Sequence, residues 1–188
     1  MRKTEHILDE WLVLAARDGN AAAFEALVRR LQPGMKRHAW RLSGNGSAAA
    51  DITQESWLAV ARGLRRLHDP AGFRGWVFRI VTHKAADWVR KQERNRELTK
   101  TVASREPMRR SSDLESDAAN EAGASQRQLR DAIAQLSPEL RAVVSLHYGE
   151  GLAVADVAQA LGIPPGTVKS RLHNARERLR HLLERSEP

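Results

Sequence analysis

Helical periodicity runs through almost all of this 188-residue chain, and that property alone excludes most folds. No alternating β-branched run occurs, and no Asn-Gly or Asp-Gly pair joins two such runs into a hairpin. Apolar residues instead recur three and four apart, the period of an amphipathic helix. Ile7, Leu8, Trp11, Leu12 and Ala15 make one stripe, stopped at Asp18-Gly19-Asn20. Asn20 can cap the next helix, with Phe24, Leu27, Val28 and Leu31 on its buried face. Pro33-Gly34 is expected to kink or break that helix before Met35–Leu42 resumes it. Ser47 is read as the cap of a helix from about Ala48 to Leu67, with Trp57, Val60, Ala61 and Leu64 in its core stripe. After the loop His68–Gly72, a long helix is expected from about Phe73 to Arg96. Trp76, Ile80, Val81, Ala85 and Trp88 form its buried stripe, while Arg79, His83, Asp87, Arg90 and Arg94 share another face.

Residues 98–124 lose this order. They are rich in Ser, Ala and charge and poor in large apolar side chains, the composition of a flexible linker. Helical pattern resumes near Ser125, with Leu129, Ile133 and Leu136 in one stripe. Ser137-Pro138-Glu139 combines a cap, a proline in the first turn and an acid at the positive end of the dipole. The helix it starts is expected to reach Gly149, carrying Leu140, Val143, Val144 and His147. Two more follow, Val154–Leu161 and about Pro165–Leu182. The expected fold is therefore all-α: two small helical domains, 1–97 and 125–188, joined by a flexible linker at 98–124.

The formal net charge is +8, which favours a polyanionic partner, nucleic acid first. It is uneven: 18 bases against 11 acids over 1–97, 4 against 5 over 98–124, and 9 against 7 over 125–188. Within the last part, 165–181 holds five bases and one acid. Taken alone, such a run is as easily a solvated face. There is no cysteine, which excludes disulfides, thiolate metal sites and a cysteine nucleophile. No run approaches the ~18 apolar residues of a spanning helix. The N-terminal MRKTEHILDEWLVLAARDG has acids inside its apolar stretch, so it reads as a helix rather than a signal peptide, and a cytoplasmic location is expected. Histidines and carboxylates lack metal-site spacing, so no metal, cofactor or catalytic residue is expected, and the chain is not read as an enzyme.

The last two helices have the spacing of a helix-turn-helix. Ala158 is small enough for close approach, Gly162 can take the positive φ of the turn, and Val168 packs the second helix on the first. Leu161, Val168, Leu172, Ala175 and Leu179 face inward. Ser170, His173, Asn174 and Glu177 are left opposite, flanked by Lys169 and Arg171, a set that can enter a major groove. The competing reading is an ordinary helical hairpin with a basic solvated face.

The segment Leu129–Leu182, above all GTVKSRL followed by Ala175-Arg176, resembles region four of the extracytoplasmic-function sigma factors, of the sigma-70 family of bacterial RNA polymerase. The resemblance implies that this helix-turn-helix reads the minus-thirty-five promoter element. Lys169, Ser170, Arg171, His173 and Asn174 would stand at the DNA, with Thr167 and Arg176 near phosphates. The family often has Arg at the position of Asn174. Ala50–Leu58 and FRGWVFRIVTHKAADWVRKQERNR resemble region two of the same family. That implies a polymerase-clamp face made by Asp51, Gln54, Glu55 and Leu58, the first three at helical spacing. It also implies a minus-ten element site, with Leu67, His68, Phe73 and Trp76 near a captured base and His83, Arg90, Lys91 and Arg94 along the strand. Trp76 and Trp88 are read as core before stacking platforms. The implied partners are core RNA polymerase, promoter DNA and an anti-sigma factor, with no membrane insertion. A helix-turn-helix regulator acting without replacing the sigma subunit is the alternative. It leaves the Asp51–Leu58 helix without a purpose.

Overall fold

The computed structural model describes residues 2–100 and 122–184, with side chains for 7–97 and 127–184. The described residues form helices and turns with no strand, as the periodicity requires. The expected flexibility of 98–124 falls almost entirely outside them.

Four helices make the first unit: α1 (Arg2–Arg17), α2 (Ala21–Ser43), α3 (Gly46–Gly63) and α4 (Phe73–Lys100). α2 is its axis and packs against the other three. Asn20 Oδ1 accepts from the Ala23 N–H at 3.1 Å and caps α2. Leu27, Met35, Ala39, Val60, Val77, Phe78 and Val81 are fully buried where the helices meet. The second unit is α5 (Ala122–Ala134), α6 (Pro138–Val144), α7 (Val154–Leu161) and α8 (Pro165–Glu184), with a π-helical turn at Ser145–Gly149 after α6. The expected cap at Ser137 is present, its Oγ accepting from the Leu140 N–H at 3.4 Å. Leu136, Val144 and Ala175 make a small satellite core there.

The two units pack on each other. α7 lies along α4, and α6 with its π turn lies against α2. Val143, Leu146, Leu152, Val157, Val168 and Leu172 belong to the same continuous core as the first unit.

Several local expectations are corrected. Pro33 does not break α2, which runs unbroken from Ala21 to Ser43. Pro33 is exposed, and buried Leu27 and Leu31 before it and Gly34, Met35 and His38 after it hold both halves in line. The cap of α3 is Asn45, not Ser47, with Asn45 Oδ1 accepting from the Ala48 N–H at 2.8 Å. α3 ends at Gly63, and a 3₁₀ turn at Leu64–Arg66 replaces the expected last turn. α4 continues to Lys100 and α5 starts at Ala122, so the linker's ends are helical. The helix from Pro138 gives way to the π turn at Ser145. On α1 the buried side is Asp9, Leu12 and Val13, and Ile7, Leu8 and Trp11 face solvent. Both sides of α1 are apolar, so periodicity alone cannot choose between them. Leu129 is also exposed, and the buried residue of α5 is Ala132, a turn later.

Candidate nucleic-acid interface

The turn between α7 and α8 is built as its residues demand. Gly162 has φ 65°, and its N–H donates to the Ala158 carbonyl, closing α7. The Ile163 N–H donates to the same oxygen at 3.1 Å. Val168, Leu172 and Ala175 are buried on one side of α8. Lys169, Ser170, His173, Asn174 and Arg176 are exposed on the other sides, and Thr167 and Arg171 are half-buried at the margins. The seven residues expected at DNA thus share the outer surface of one helix. Two are tied locally: the Ser170 hydroxyl donates to the Thr167 carbonyl at 3.0 Å, and Arg176 Nε donates to the Leu172 carbonyl at 3.3 Å. Glu139 stands beside this surface. Its carboxyl is held below the usual range by its own backbone N–H and the Ser137 hydroxyl, with Arg171 adding to the effect.

A second candidate surface lies where α3 hands over to α4. Asp69 Oδ1 accepts from the Ala71 N–H at 3.0 Å and shapes the loop. Leu67 and Trp76 are half-buried and His68 is exposed beside them. Trp76 packs on Phe73, ring centroids 6.1 Å apart, and over Gly63, where a Cβ would come within 2.8 Å of the indole. Phe73 is 1% exposed, which corrects its expected place at a captured base: it is a core residue that seats the loop. His83, Arg90, Lys91 and Arg94 are all exposed along α4, spread over ~16 Å of helix. Arg90 is paired with Asp87 one turn earlier.

On α3, Asp51, Gln54, Glu55 and Leu58 form one exposed face, with Leu58 51% exposed. The reverse face holds Ile52, Thr53, Ser56, Trp57 and Val60. The Thr53 and Ser56 hydroxyls donate to the Ala49 and Ile52 carbonyls, each at 2.6 Å, so neither is left unpaired in the core. Glu55 is not a free acid: Lys84 Nζ of α4 donates to its Oε2 at 2.9 Å.

These three surfaces sit in the two segments matched by family models, "Sigma-70 region 2" over residues 27–95 and "Sigma-70, region 4" over 126–179. Together the matches cover more than half of the chain. The chain belongs to the extracytoplasmic-function sigma factors of the sigma-70 family. This sigma factor is 36% identical over 162 residues to "ECF RNA polymerase sigma factor SigE" of Mycolicibacterium smegmatis, a match covering 86% of this chain and 62% of the relative. It is 33% identical to "RNA polymerase sigma factor CarQ" of Myxococcus xanthus, covering 89% of this chain and 92% of that one. It is 34% identical to "ECF RNA polymerase sigma factor SigL" of Mycobacterium tuberculosis, covering 91% and 97%. Two solved structures share its fold, each with a TM-score of 0.68. One is of CnrH in complex with the cytosolic domain of CnrY, 23% identical over 96% of this chain and 99% of that one. The other is of the sigma factor RpoE in complex with the anti-sigma factor NepR from Bartonella quintana, 22% identical over 87% and 98%.

Sequence reasoning missed a polar network between the two units. The Glu150 carboxylate accepts from Arg37 Nη2 at 3.0 Å and from Arg41 Nη1 at 3.3 Å. Arg74 Nη2 donates to the Glu150 carbonyl at 3.1 Å, and Arg74 Nη1 donates to Asp9 on α1 at 3.1 Å. His38 is fully buried between Ser145 Oγ and Thr82 Oγ1, 3.0 Å from each. The only sequence signal was a histidine at a core position of α2. Among the described residues no helix is long and apolar enough to cross a membrane, and no group of three or more His, Asp or Glu could hold a metal ion.

Proposed function

We propose that the chain binds core RNA polymerase, directs it to promoters and promotes DNA melting, and that it is a recognition subunit rather than an enzyme. Residues 1–97 act as region two and 125–188 as region four, with 98–124 linking them. The N-terminal part of α8 enters the major groove of the minus-thirty-five element. There Lys169 and Arg171 reach phosphates or guanine, Ser170, His173 and Asn174 lie at the DNA beside them, and Thr167 and Arg176 approach phosphates. Leu67, His68 and Trp76 hold the start of the minus-ten element, and His83, Arg90, Lys91 and Arg94 follow its strand. Asp51, Gln54, Glu55 and Leu58 dock on polymerase. An anti-sigma protein regulates the chain, as in the solved complex of RpoE with NepR. The protein works in the cytoplasm, where polymerase is.

The observation that carries this reading is the pairing, in one chain, of an exposed basic face on α8 with an exposed polar face on α3. A DNA-binding regulator needs only the first. The test is run-off transcription with core polymerase on genomic promoter fragments. Defined transcripts that appear only when the protein is added support the reading. Duplex binding without initiation would favour the autonomous regulator.

A further inference from the structure

Glu150 is a carboxylate of the second unit buried in a pocket of the first, its side chain only 4% exposed. Three arginines of the first unit serve it: Arg37 and Arg41 through its carboxylate, Arg74 through its carbonyl. Arg41 also donates to Ser145 Oγ at 3.0 Å. The Thr82 hydroxyl donates to the Phe78 carbonyl at 2.7 Å, so it accepts from His38 Nε2–H. His38 Nδ1 is then left as an acceptor for the Ser145 hydroxyl. Every hydrogen along this chain has a direction, from Arg41 through Ser145, His38 and Thr82 to the α4 backbone.

Two glycines let the units come this close. A Cβ at Gly34 would collide with the Glu150 carboxylate and touch the Phe78 ring at 3.5 Å. A Cβ at Gly75 would meet Gln159 Oε1 at 2.6 Å and the Asp156 backbone at 3.3 Å. Neither glycine is needed for its own helix, where alanine is the better residue by about 1 kcal/mol. Both instead mark where the second unit presses on the first. The pressed ground includes the start of α4, beside Trp76.

We infer that the Glu150 cluster is a latch that holds the two DNA-reading units closed, and that it must release before both promoter elements can be held at once. The inference rests on the function proposed above. By their numbering, minus thirty-five and minus ten, the two elements lie about 25 base pairs apart, about 85 Å of duplex at about 3.4 Å per base pair. A compact chain of 188 residues has a radius of gyration of about 16 Å, hence a diameter near 40 Å. The closed chain therefore reaches one element at a time. A buried ion cluster suits a releasable contact, because Coulomb gain and desolvation cost nearly cancel. A hollow of about 300 Å³, lined in part by Arg30, Arg37 and Arg74, opens beside Glu150 and admits solvent to the cluster.

The chain has no cysteine, so two introduced at exposed Arg62 and His181 take a dye pair cleanly. Energy transfer across the full chain then reports closure, with circular dichroism reporting helix content. Wild-type protein should show high transfer at low ionic strength, falling as salt is raised. Glu150→Ala should raise the low-transfer population several-fold. Gly34→Ala displaces Glu150 while favouring α2, so it keeps the test valid if Glu150→Ala loses helix content. It should show the same loss of transfer with helix content intact. Wild-type transfer in a folded Gly34→Ala protein would overturn the latch. The measurement uses no polymerase, so failed run-off transcription by wild-type protein would count against the sigma reading alone.

Discussion

The Ser145 hydroxyl donates to Nδ1 of His38 at 3.0 Å, across the seam between the two helical units. The closed fold holds the imidazole neutral: burial first, and the Arg41 charge second, lower its pKa from 6.5 to about 3. Thr82 and Phe78 of α4 and Ser145 of the π turn complete its surroundings, and Glu150 is reached through Arg41. When the chain unfolds, the freed imidazole takes up a proton below pH 6.5. Stability is therefore full above about pH 6.5 and falls as pH drops toward about 3, with about 2 kcal/mol lost by pH 5. Melting curves between pH 5 and 7.5 check this. His38→Gln should flatten the slope in that window, and an unchanged slope would contradict the assignment.

Asn45→Ala should cost ~1 kcal/mol, because it removes the side chain that accepts the Ala48 N–H. Ser47→Ala, one residue inside α3, should be close to neutral. Denaturant midpoints of the two variants decide which residue is the cap.

How much of this was legible in the sequence depends on range. Asn20, Ser137 and Gly162 act within four residues of themselves, so their roles could be read directly. The outer face of α8 follows from where Val168, Leu172 and Ala175 must point. Other features depend on partners far along the chain. Pro33 stays helical because distant packing holds α2 on both sides of it. α1 has two apolar faces, and only the rest of the fold selects Leu12 and Val13. Phe73 is aromatic beside a loop, and nothing local says it is core. Glu150 and Arg37 are 113 residues apart, and no periodicity links them.

Lys169→Ala with Arg171→Ala should weaken promoter binding and reduce its salt dependence, since binding with fewer cationic contacts releases fewer counterions. Asn174 substitutions should change base preference instead, with a bidentate contact worth ~1–3 kcal/mol. Binding titrations at several salt concentrations, on cognate and altered duplexes, separate the two effects. Equal salt slopes for wild type and the double variant would remove α8 from the DNA.

We propose that this chain serves polymerase through the α3 face. Asp51, Gln54 and Glu55 are exposed, so replacing all three by alanine should leave the melting curve nearly unchanged, at ~0.5 kcal/mol or less per site. The loss of the Glu55–Lys84 pair, which is solvent-exposed, adds little. The decisive measurement is retention of core polymerase by wild-type and triple-variant protein in a pull-down, beside their melting curves. Wild-type protein should retain polymerase, and the folded triple variant should lose it. A folded triple variant with full polymerase affinity would exclude these residues from docking, and a wild-type protein that retains no polymerase would overturn the sigma-factor function.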